Sequence, residues 1–205
     1  TECQVREKDV YTEYLTPSVR FVLGEPIYVI IQPTVDGRAA YQTQNDPDYP
    51  GSIATVFSAE SIRSASTTVH EMTHALQDAC IGVRCPAWFT EGLPEMVSNE
   101  LIAVNDQPRQ ESLGLDAEGN SLIQVWRSHG AGGATFPEAL TYQAYRHAYY
   151  IMKTLRDRHG DDFYTQVFRE MATRRGKRLL DVELIDLMSR ISGEELEGFF
   201  ADTLG

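Results

Sequence analysis

The stretch Thr67-Thr68-Val69-His70-Glu71-Met72-Thr73-His74 contains His-Glu-x-x-His. In a helix, residues four apart share a face, so His70 and His74 could both reach one metal ion. Glu71 projects beside them, where a carboxylate can take a proton from a metal-activated water. The pattern predicts a zinc-dependent hydrolase. The flanking residues support a helix: Ile62, Ala65, Val69, Met72, Leu76 and Ala79 recur every three or four positions and form one apolar stripe. His70 and His74 lie about 100° round from that stripe, in a row with Ser66, Thr73 and Gln77.

Outward from this helix, Ile27 to Gln32 and Ser52 to Ser58 read as strands. Val19 to Leu23 forms a further strand across the Gly24-Glu25-Pro26 turn. Thr34 to Gly51 is rich in Asp, Asn, Gln, Pro and Gly and is expected to be a loop, and residues 1–18 a leading segment of uncertain order. Downstream, Leu93 to Val104 reads as a helix with Met96, Val97, Leu101 and Val104 inward. Because Pro94 fits best in a first turn, this helix should begin close to Glu91. Residues 105–137 carry no long periodic element, and the span is expected to be a lid, an edge hairpin or partly disordered. Four helices follow: Tyr142 to Arg158, Asp161 to Thr173, Leu179 to Ile191, and a short one after Gly193 with Leu196, Phe199 and Phe200.

The 205 residues, 42% apolar and 23% charged, suit one globular domain over residues 19–205, its β part about 19–80 and its helical part about 86–205. No apolar run approaches a membrane span. Eighteen basic against thirty acidic residues give a net charge of −12, with no Lys/Arg cluster to track phosphates, so nucleic acid is not an expected partner. Cys80 and Cys85 are spaced to close a small disulfide loop with Cys3 left over; the alternative is three reduced thiols. The disulfide would favour a secreted or extracytoplasmic protein over a cytoplasmic one. The opening Thr-Glu-Cys, without Met, looks like a mature or trimmed product, so the missing leader does not argue against export.

A catalytic zinc takes three protein ligands, so two histidines call for a third. Glu91 follows His74 by seventeen residues and is the natural candidate, although a carboxylate at a helix start also has an ordinary reading as a capping charge. His70-Glu71-Met72-Thr73-His74 followed by Trp88-Phe89-Thr90-Glu91-Gly92-Leu93-Pro94-Glu95 resembles the gluzincin metallopeptidases, in particular peptidase-MA-like domains related to the thermolysin and aminopeptidase N groups. The likeness covers roughly residues 50–205 and is specific only in these two motifs.

The resemblance implies an α+β, zincin-like fold, with a small N-terminal sheet packed on the active-site helix and a mostly helical C-terminal half. It implies one catalytic Zn2+ on His70, His74 and Glu91, with Glu71 as general base. Glu95 would accept the outer N–H of a ligand histidine. Tyr145, in Tyr145-Arg146-His147-Ala148, resembles the clan's oxyanion-binding tyrosine. Tyr142, Tyr149 and Tyr150 crowd the same helix, so packing is its competing role; His129 and His147 are the alternative oxyanion donors. The strand at Ser52 to Ser58 would be the cleft edge on which an extended substrate pairs. Pro94 departs from the small residue usual in Glu-Gly-x-Ala. Nothing resembles the Gly-x-Met-Glu-Asn motif that holds a free α-amine, so an endopeptidase acting on a peptide or protein is expected over an exopeptidase. The alternative is a catalytically inactive zinc-bound protein-recognition domain. Oligomeric state is open.

Overall fold

The computed structural model describes residues 27–33, 40–46, 49–102 and 138–204. It is an α+β arrangement, mostly helical, in the order β1 (Ile27–Gln32), β2 (Ala40–Asp46), β3 (Tyr49–Ser58), α1 (Ala65–Cys80), α2 (Ala87–Leu101), α3 (Glu138–His159), α4 (Asp162–Ala172), α5 (Asp181–Ser192) and α6 (Leu196–Leu204). The leading segment, the expected strand at Val19 to Leu23, His129 and the span 105–137 lie outside the described residues.

The strands form one sheet in the order β1-β3-β2, with β1 parallel and β2 antiparallel to β3. Two expectations are corrected here. The segment from Thr34 to Gly51 contains a strand, β2, which its Gln, Asn and Asp residues conceal. Pairing of Ala40 to Gln44 with Phe57 to Ile53 supplies a ladder that outweighs their poor intrinsic preference. β3, which includes Ser52 to Ser58, is therefore the central strand, paired on both sides, and is not an edge. Among the described residues β2 is the edge on one side and β1 on the other. Thr55, Val56 and Phe57 are buried where β3 ends, and helix α1 packs on β3 and β2.

Helix α1 starts at Ala65, where the Ser64 side chain caps it by accepting from the Thr67 N–H. Ile62 belongs to a preceding 3-10 turn, Ser61–Arg63. The inward stripe is Met72, Ala75, Leu76 and Ala79. Thr73 was expected beside the histidines on the polar row, yet it is buried; its hydroxyl is satisfied by donating to the Val69 carbonyl at 2.8 Å.

Helix α2 begins at Ala87, a full turn earlier than expected. Pro86 precedes the first turn, and its carbonyl accepts from the Phe89 and Thr90 N–H groups at 3.0 Å. Burial of Trp88 and Phe89 draws this turn into the helix: both are fully enclosed, and the Trp88 indole N–H donates to Asp181 at 2.7 Å. Pro94 consequently sits inside the helix, and Glu91 lies beyond the first turn, which removes its reading as a capping charge.

The loop between α1 and α2 is stitched to residues 175–179. Arg84 donates to the Lys177 carbonyl and accepts from the Leu179 N–H, Gly82 accepts from the Gly176 N–H, and the Arg175 guanidinium donates to the Ala79 carbonyl. These bonds fix the loop that joins the helix of His74 to that of Glu91. Cys85, inside this loop, carries a free and buried thiol, which burial pushes up to about 12. The expected Cys80–Cys85 disulfide is thus not present at Cys85 in this structure. The core below is built by α2 through α6, with Trp88, Phe89, Met152, Leu155, Met171 and Phe200 among its buried side chains.

Candidate metal centre

Three helices meet at the histidine pair. Helix α1 brings His70, Glu71 and His74; α2 brings Glu91 and Glu95; α3 brings Tyr145. The close approach of α2 to α3 depends on Gly92, where an added Cβ would lie 2.7 Å from Met152 Cγ and 2.9 Å from the Ala148 carbonyl oxygen. A Glu100–Arg156 ion pair joins the same two helices further along.

Three side-chain atoms converge. His74 Nε2 lies 3.1 Å from His70 Nε2 and 3.2 Å from Glu91 Oε2, and His70 Nε2 lies 3.4 Å from the same oxygen. His70, His74 and Glu91 form the group among the described residues whose atoms could hold a metal ion. All three side chains are largely enclosed, at 14%, 13% and 22% exposure, so their polar atoms need partners.

The outer nitrogens have such partners. His70 Nδ1 lies 3.0 Å from Glu95 Oε1, and His74 Nδ1 lies 3.1 Å from Gln77 Oε1. Carboxylate and amide oxygens accept, so both Nδ1 atoms donate, and a neutral ring of either histidine leaves its Nε2 lone pair facing Glu91. Glu95 thus lies where the resemblance put it, with His70 as its histidine. Gln77 appears in the sequence only as a neighbour on the histidine row. Its signal was the i, i+3 spacing from His74, whereas Glu95 was indicated by the resemblance, four residues beyond Glu91.

Electrostatics follow the crowding of carboxylates. Burial disfavours protonated His70, but hydrogen bonds and charges from Glu91 and Glu95 outweigh it and raise the group to about 10. Burial likewise disfavours ionised Glu91, yet the charges and hydrogen bonds of His74 and His70 hold it well below the usual carboxylate range. Glu71 is raised, first by burial and then by the Glu91 charge, against the lowering effect of the histidines. A raised carboxylate is a better proton acceptor than a free one.

Tyr145 reaches the cluster. Its ring stands edge-on to His70 at 6.0 Å between centroids, and its hydroxyl hydrogen-bonds to Glu91. Burial and the nearby carboxylates raise it well above its ordinary value, so it stays a neutral donor. His147, two residues on, falls on a different face of α3; it is buried, and neither ring nitrogen has a hydrogen-bond partner among the described residues. The structure thus brings together His70, Glu71, His74, Glu91, Glu95 and Tyr145, and turns His147 elsewhere. The chain matches no protein-family model and no curated protein.

Proposed function

We propose that this cluster is the catalytic centre of a zinc-dependent peptidase of the gluzincin type, an endopeptidase in which His70, His74 and Glu91 hold the metal. The observation that carries this reading is the convergence of one atom each of His70, His74 and Glu91, separated by 3.1, 3.2 and 3.4 Å, on a single point. Ligands about 2.0–2.1 Å from a tetrahedral zinc stand about 3.3 Å apart, which matches. Two imidazoles and one carboxylate, with a position left for water, is a catalytic donor set; a structural site would be closed by a fourth ligand.

A bound zinc supplies Lewis acidity to the scissile carbonyl and to the attacking water. Glu71, half-buried and raised, takes the proton of that water and passes it to the leaving amine. Tyr145, neutral and within reach of Glu91, donates to the oxygen on which charge develops. The β2 edge, on the side of the sheet that α1 packs against, offers an antiparallel template for an extended peptide in place of β3. The zincin-like fold rests on this same placement of a sheet over the motif helix.

The test is Glu71→Gln. The variant should bind one equivalent of zinc as tightly as the natural chain and lose about 10²–10⁴-fold in turnover. Turnover is read by mass spectrometry of a diverse peptide library, with and without chelator. Full activity in the variant removes Glu71 as the base. No chelator-sensitive cleavage by the natural chain, with zinc bound, replaces the peptidase reading by the protein-recognition domain.

A further inference from the structure

We infer that Gln77 is the positioning residue for His74, holding its ring so that Nε2 faces the metal position, as Glu95 does for His70. The inference rests on the metal reading above and concerns a residue outside both motifs that carry it. Gln77 lies on α1 one turn beyond His74, with its amide oxygen 3.1 Å from His74 Nδ1. An imidazole has one proton to place when neutral, and an amide oxygen on Nδ1 holds it there. Nε2 is then free of hydrogen and aims its lone pair at the point shared with His70 and Glu91. Without an acceptor at Nδ1 the proton can move to Nε2, and the ring can turn about its terminal torsion, which has no steep staggered wells.

The chemistry of the partner has its own logic. Glu71, Glu91 and Glu95 already place three carboxylates around the two largely enclosed histidines. A fourth carboxylate on His74 would add repulsion to the zinc-free protein. An amide accepts the same hydrogen bond without a charge. The two histidines thus carry unlike partners, one anionic and one neutral.

The test compares zinc affinities of the full-length chain by competition with a chromophoric chelator, together with the unfolding midpoint of each zinc-free protein. Gln77→Met keeps the side-chain length and removes the acceptor; zinc should bind about 10–100-fold more weakly with the midpoint little changed. Gln77→Glu restores an acceptor and should bind at or above the natural affinity. If Gln77→Met does not fold, Gln77→Ala replaces it with the same expectation. Natural affinity in the acceptor-free variant, or Gln77→Glu binding as weakly as Gln77→Met, overturns the role of Gln77 and leaves the metal centre standing. A natural chain that binds no zinc overturns the metal reading and this inference with it.

Discussion

Three of the histidines in the structure are enclosed by the helices in opposite ways. His70 and His74 are each met by oxygen on both nitrogens, from Glu95, Gln77 and Glu91, and the surrounding charge raises His70 to about 10. His147, 4% exposed, has no partner on either nitrogen among the described residues, and burial alone lowers it to about 4. Burial is common to both regions, so it does not distinguish a ligand from a packed ring. What separates them is whether acceptors surround the ring and converge on a shared point. At α1 and α2 they do, as the proposed metal site requires; at His147 they do not, and burial keeps the ring neutral.

The comparison breaks most severely if Glu91 is removed, since its carboxylate is the point on which both histidines converge. Structural zinc sites bind with about 10–16 kcal/mol over four ligands, so one ligand accounts for about 3–4 kcal/mol. Glu91→Ala should therefore weaken zinc by roughly 10²–10³-fold in chelator competition. An unchanged affinity would mean that Glu91 is not a ligand.

His147 tests the other side through pH. An unfolded histidine takes up its proton near pH 6.5, but in the folded chain His147 does so only near pH 4. Between these values the unfolded state binds more protons, so the stabilising contribution is intact above pH 6.5 and is lost as pH falls toward 4. The shift corresponds to about 3 kcal/mol. Denaturant unfolding at pH 7.5 and pH 4.5 should show this loss in the natural chain and a smaller loss in His147→Leu, where the carboxylate cluster contributes equally to both proteins. Equal acid sensitivity of the two chains would show that His147 is not the buried neutral base described here.

The features legible in the sequence were those set by local spacing. The span Ile27 to Gln32 is a strand with those bounds, and Glu91 and Glu95 reach the histidines from a helix whose start was misjudged by a turn. That misjudgement cost nothing at the site, because i and i+4 share a face wherever the helix begins. Pro94 misled because its local preference for a first turn is overridden by the burial of Trp88 and Phe89, a tertiary effect. β2 was hidden for a similar reason: its polar residues join the sheet through backbone pairing, which composition does not report. Gln77 was visible only as a neighbour, since an amide on a helix face is usually solvated and its pairing depends on rotamers.

Gly92 offers the smallest and sharpest cut between the two regions, because it adjoins Glu91 on α2 and abuts Ala148, the residue after His147, on α3. An alanine there replaces a helical glycine, which alone would stabilise by about 1 kcal/mol. Its methyl group would, however, stand 2.9 Å from the Ala148 carbonyl oxygen, a backbone atom that cannot yield unless α3 moves. Overpacking of this kind costs about 1–3 kcal/mol, so the net loss should be about 1 kcal/mol, seen as a lower denaturant midpoint. Affinity at the proposed zinc site should change less than tenfold, because its three proposed ligands stand on α1 and α2, which pack directly on each other. Turnover should fall further than affinity, since the displaced helix carries Tyr145. A Gly92→Ala chain with natural stability and turnover would mean that α3 does not press on α2 at this point, and that Tyr145 owes its place beside His70 to something else.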